Sequence, residues 1–155
     1  MSRILAALAV IMCAQIANAE MVPRIGWSVT PTTKSYAQLI DAVKAAAKSN
    51  KMGVVTQAGP TSAAKNRGIT IPGNRVIGLF NNVYAVNILT LSTAAMIEAP
   101  VRVYVTENRD GTATLSYKLP SDVFAPYLSE AGPALATLAQ ELDGIFAAIN
   151  DQATQ

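Results

Sequence analysis

The stretch from Arg102 to Lys118, RVYVTENRDGTATLSYK, restricts the fold more than any other part of the chain. Its alternation puts Val103, Val105, Ala113, Leu115 and Tyr117, with Val101 just before them, on one side. Arg102, Tyr104, Thr106, Thr114, Ser116 and Lys118 fall on the other. A period of two is the signature of strands with two unlike faces. Asn108-Arg109-Asp110-Gly111 between them suits a type I turn followed by a glycine bulge. Such a turn fixes the register, because a slip of one residue would exchange the faces. Val105 is therefore expected opposite Leu115, Val103 opposite Tyr117, Tyr104 opposite Ser116, Thr106 opposite Thr114, and Arg102 opposite Lys118. A hairpin with one dry side argues against a doubly wound parallel sheet and asks for a covering layer on that side only.

The covering layer is readable at the C-terminal end. Pro133 suits a helix start, where its missing N–H costs nothing. Leu135, Leu138, Leu142, Ile145 and Ile149 follow at near-heptad spacing with Phe146 beside them, the longest amphipathic pattern in the chain. An earlier helix is expected after Ser35, which can cap it, with Tyr36, Leu39, Ile40, Val43 and Ala47 as its stripe. Before it, Ile25, Trp27 and Val29 alternate with Gly26, Ser28 and Thr30 and predict a first strand with those three residues buried, ended by Pro31. MGVVTQ from Met52 reads as a second strand, PTSAAKNRG as a short helix stopped by Gly68, and SDVFAPYL as a short capped turn or helix. RVIGLF from Arg75 is apolar on both sides of its alternation, as in a strand covered on both faces. Asn81 and Asn82 then turn the chain into the helix VYAVNILTLS by capping its free N–H groups, although an Asn pair after a strand can also mark a ligand site. The order is β-α-β-(α)-β-α-β-β-α. The expected fold is α+β: a two-layer sandwich of a mostly antiparallel sheet with helices packed on one face.

The first twenty residues, MSRILAALAVIMCAQIANAE, carry Arg3, an apolar run from Ile4 to Ala14, and Ala17-Asn18-Ala19. This is the order of a secretory signal peptide, with cleavage expected after Ala19. N-terminal sequencing of the exported product checks it, and an intact Met1 would contradict it. The apolar run is shorter than the roughly 20 residues that span a bilayer, so no stable membrane anchor is expected after cleavage. The domains are then residues 1–19 as leader and 20–155 as a single α+β unit, in a periplasmic or secreted location. The leader holds the single cysteine, and the chain has no histidine. A mature chain with neither has no disulfide, no thiol nucleophile, no thiolate metal site and no imidazole. A Ser-His-Asp triad, a zinc hydrolase, His-ligated haem and blue copper are all implausible, and neither a metal nor a cofactor is expected. Lysines and arginines form no stripe, which leaves nucleic-acid binding without support.

The runs SYAQLIDAVKAAAKSNKMGVVTQ, RVIGLFNNVYAVNIL and IEAPVRVYVTENRDGTATLSYK, with the last helix, resemble the domain-of-unknown-function family 302 in its exported branch. GLFN before a helix, IEAP before a strand, and DGTATLSY are the most telling pieces, and the resemblance covers roughly residues 26 to 150. It implies a compact α+β domain and a homodimer, and it implies no particular reaction. Cytoplasmic members of the family often carry cysteine at the position of Phe80. Its absence here means that no thiol or metal role carries over.

The best candidate surface is the polar side of the hairpin: Arg102, Tyr104, Thr114, Ser116 and Lys118. Antiparallel sheets often leave one face wet, which would account for it. Two cations directly opposite each other nevertheless repel unless an anion or acidic partner lies between them. Asn81, Asn82 and Glu98 complete the candidate set. Glu98 and Glu107 are the only acids between Asp41 and Asp110, and a carboxylate pair does acid–base work only if held close together. Tyr84, Tyr104, Tyr117 and Tyr127 either line a pocket or, more in keeping with their spacing, belong to core and interface. The expected function is that of an exported, cofactor-free binding domain acting through its outer sheet face as a homodimer. Its partner would be a small anionic or amphipathic molecule or another envelope protein. The alternative is a small metal-independent enzyme using Tyr, Arg and Glu.

Overall fold

The structure, a computed structural model, describes residues 21–155. The expected leader, its cleavage point and Cys13 lie outside the described residues. The elements run β1 (Trp27–Ser35), α1 (Tyr36–Ser49), β2 (Gly53–Ala58), α2 (Thr61–Asn66), β3 (Asn74–Phe80) and α3 (Asn82–Leu91). After a 3-10 turn at Ala94–Glu98 come β4 (Val101–Glu107), β5 (Thr112–Lys118), α4 (Pro120–Phe124), a second 3-10 turn, and α5 (Leu128–Thr154). The five strands form one antiparallel sheet in the order β1-β5-β4-β3-β2. No helix among the described residues is long and apolar enough to cross a membrane.

The hairpin forms in the register that its turn dictates. Val103 faces Tyr117, Tyr104 faces Ser116, Val105 faces Leu115 and Thr106 faces Thr114. Gly111 takes a φ of 83°, open to glycine at no steric cost, and its N–H reaches the Asn108 carbonyl at 3.1 Å. Asp110 accepts from the Thr112 hydroxyl at 2.6 Å and from its backbone N–H at 3.0 Å. Those two bonds hold its carboxyl below the usual range.

Val101, Val103, Val105, Ala113, Leu115 and Tyr117 are buried, as are Ile77 and Leu79 of β3, and together they define the inner face. Helices α1 and α5 cover it. Helix α1 opens with a capping box, in which Ser35 and Gln38 each satisfy the other's backbone N–H, and it buries Leu39, Ile40, Val43, Ala46 and Ala47. In α5, Gly132 leaves helical geometry with φ 66° and ψ −163°, and Pro133 starts the long second segment. That segment buries Leu135, Ala139, Leu142, Phe146, Ile149 and Ala153, while Leu138 and Ile145 flank the stripe. Phe146 meets Tyr117 at 5.5 Å between ring centroids.

Strand β1 departs from expectation in two ways. It does not end at Pro31 but continues, through an irregularity, to Ser35. As an edge strand it is hydrogen-bonded to β5 alone, and the missing N–H of Pro31 is tolerated there. Its faces are also reversed. Ser28 and Thr30 pair with Tyr117 and Leu115 and so share the inner face, whereas Trp27 and Val29 pair with Lys118 and Ser116 and look outward. Ile25 precedes the strand and is fully exposed. Alternation shows that two faces differ, and the pairing partner decides which one is covered.

Candidate functional site

Reversal of β1 turns the outer face of the sheet into a mixed surface. Cross-strand neighbours share a face, so the register gives its layout directly. One row runs Trp27, Lys118, Arg102 and Gly78, and the next runs Val29, Ser116, Tyr104, Val76 and Ala58. A small residue, Ser116, stands among large ones. The surface is therefore hollow at its centre, and a groove of about 690 Å³ opens there. Trp27, Val76, Arg102, Tyr104 and Lys118 are its principal walls, with Gly59 and Pro60 at the β2 side and Glu98 and Val123 also lining it. A groove of this size matches a drug-sized organic molecule.

Ser116 forms part of the floor, closed over by the taller side chains beside it, and its hydroxyl donates to the Tyr104 carbonyl at 3.4 Å. Tyr104 is half-buried in the wall. Burial, and then the nearby Tyr36 phenol, push its pKa up, so it stays a hydrogen-bond donor at neutral pH and is a poor base. Lys118 places its Nζ 5.6 Å from the Trp27 ring centroid, and the Arg24 guanidinium lies 5.5 Å from the same centroid. These are cation–π distances. Arg102 and Lys118 are both exposed, and neither forms an ion pair among the described residues. On the far side, a Cβ on Gly78 would lie 2.2 Å from Thr56 Oγ1 and 2.7 Å from Pro100 Cγ. The Pro100 ring thus lies against the strand and covers β3 from outside, which explains how a strand apolar on both sides is accommodated.

Of the expected site residues, Arg102, Tyr104, Ser116, Lys118 and Glu98 come together in this groove. Thr114 shares their face but is buried, and its hydroxyl donates to Asn108 Oδ1 at 3.0 Å, bracing the hairpin end. Asn81 and Asn82 lie elsewhere. Asn81 caps α3 by accepting from the Val83 and Tyr84 N–H groups and donates to the Lys51 carbonyl at 2.9 Å, while Asn82 is exposed on the first turn. Glu98 precedes β4 and Glu107 is its last residue, so a seven-residue strand of roughly 20 Å separates them and they form no carboxylate pair. Glu98 instead accepts from the Tyr127 hydroxyl at 2.7 Å, a bond that raises the Tyr127 pKa, and Glu107 accepts from the Gly73 N–H at 2.6 Å. Tyr84 donates to Glu141 at 3.1 Å, away from the groove. Among the described residues, no group of His, Cys, Asp and Glu is placed to hold a metal ion. Trp27, Val76 and Val123 were not anticipated as lining residues. They arrive through long-range pairing and chain return, for which a local pattern carries no signal.

A sheet of this order, covered on one side by α1 and α5 and grooved on the other, defines a small α+β domain, and the comparisons identify its kind. The family described as "Domain of unknown function DUF302" matches residues 28–149, and the chain belongs to it. The fold is similar to the crystal structure of an uncharacterized conserved DUF302 protein from Bacillus stearothermophilus, with a TM-score of 0.74 and 17% identity over 84% of this chain and 99% of that one. No curated protein matches the chain.

Proposed function

We propose that this domain acts by binding, and that the outer-face groove is where it binds. The observation that supports this most is a 690 Å³ concavity with Ser116 in its floor, walled by an indole, a phenol and two exposed cations. Pockets with an apolar lining and a few convergent polar groups are the usual form of a small-molecule site. The enzyme alternative draws less support, because its two carboxylates are separated and the raised pKa of Tyr104 keeps its phenol protonated. Export and a homodimer remain part of the proposal. The dimer is consistent with Val83, Val86 and Ile97, which lie 68%, 62% and 80% exposed on α3 and the turn after it.

Mass spectrometry under native conditions, on protein taken from its native envelope, tests the reading. The expected result is a stoichiometric small-molecule adduct that denaturation releases and that Tyr104→Ala fails to retain. Wild-type protein at the bare chain mass, or an adduct held equally by the variant, would count against the groove.

A further inference from the structure

We propose that the groove selects an amphipathic oxyanion, its single carboxylate or phosphate head held between Arg102 and Lys118 and its apolar body lying along Trp27, Tyr104 and Val76. This rests on the groove being the binding site and adds the chemistry of its occupant.

The head position follows from charge. Arg102 lies one residue beyond the Val103–Tyr117 pair, directly across from Lys118. Like charges in that relation destabilise a sheet pair, and an anion between them removes the repulsion. Arg24 adds a third cation at the same end, stacked on Trp27. Two acids lie near. Glu98 is engaged by the Tyr127 hydroxyl, and the Asp122 carboxylate packs against Gly26, where a Cβ would come within 2.7 Å of it. Neither forms an ion pair with Arg102 or Lys118. A guanidinium with an ammonium opposite suits an oxyanion, because the planar fork can donate two parallel bonds while the ammonium supplies a point charge.

The body position follows from the walls. Trp27, Val76 and Val123 offer apolar surface beside the cations, and the Tyr104 phenol breaks it with one donor. A small inorganic anion would leave this surface uncovered, and a neutral hydrocarbon would leave the cations opposed. Only a molecule with both parts satisfies the two ends.

Trp27 is the only tryptophan in the chain and lines the groove, so its emission reports occupancy. The protein would be titrated with decanoate, decyl phosphate, decanol and decyltrimethylammonium, each kept monomeric, with calorimetry as an independent reading. Decanoate or decyl phosphate should bind at least about tenfold more tightly than the other two, and their order identifies the head. Binding should weaken as salt rises. Arg102→Gln and Lys118→Gln, both at exposed positions, should each weaken anion binding about tenfold, the size expected for losing one charged hydrogen bond. Equal binding of all four amphiphiles would overturn the anion preference while leaving the groove as a binding site. If none of them shifts Trp27 emission or releases heat, the groove reading fails as well. The salt dependence of the wild type decides the matter even if a variant folds poorly.

Discussion

Leu142→Ala is expected to lower stability by about 2–5 kcal/mol, the range for truncating a buried leucine into a site that only partly collapses. Leu142 is 3% exposed in the centre of the α5 stripe, between Ala139 and Phe146 on the face that covers the sheet. The comparison is Lys44→Ala. Lys44 sits on α1 with its side chain 39% exposed, and its 3.4 Å contact to Asp41 is a surface ion pair worth little. That variant should stay within about 0.5 kcal/mol of wild type. Urea midpoints for the three proteins provide the test. Equal midpoints for the two variants would mean that α5 does not bear on the inner face as described.

The second large effect is expected at Gly78. Its Cβ position is filled from two sides, by Thr56 of one neighbouring strand and by the Pro100 ring at the entry to the other. A rotation of Thr56 would relieve the first contact, but the proline ring has no rotamer that clears the second. Gly78→Val should therefore destabilise by about 3 kcal/mol, at the upper end of ordinary overpacking. Gly111→Val is not an equivalent control, since Gly111 has open space but a positive φ. Gly144→Ala is, because nothing lies within 4 Å of its Cβ position and the backbone there is helical. It should be neutral or slightly stabilising. A Gly78→Val protein that keeps the wild-type urea midpoint would show that Pro100 does not cover β3.

What could be read in advance depended on how far apart in the chain the deciding residues lie. The hairpin was legible in full, register included, because the turn and both strands are local. The same holds for the Ser35 cap and for the restart of α5 at Pro133, where one residue's geometry settles the matter. Strand β1 was legible as a strand but not in its orientation. Trp27 and Val29 look like core residues in their own window, and only pairing with Lys118 and Ser116 turns them outward. The groove divides along the same line. Arg102, Tyr104, Ser116 and Lys118 could be placed on one face from the alternation alone, whereas Trp27 and Val76 joined them through pairings that no short segment encodes. The hollow between these residues depends on side-chain heights on three strands at once, and no single strand reveals it.

The order of the sheet has a consequence for the chain while it is being made. Strands β1 and β2 come first in sequence, yet they form the two outer edges of the finished sheet. Each therefore waits for a partner synthesised later. β2 needs β3, a short distance on, but β1 must wait for β5, which begins only at Thr112. Pairings of such long range close slowly, because the loop entropy is lost before the contact is gained. Until then β1 holds unpaired backbone groups beside an apolar indole, a combination prone to pairing with other chains. A chain that stops short of Lys118 is on this account not a smaller domain but an open-edged one, with its first strand left unmatched.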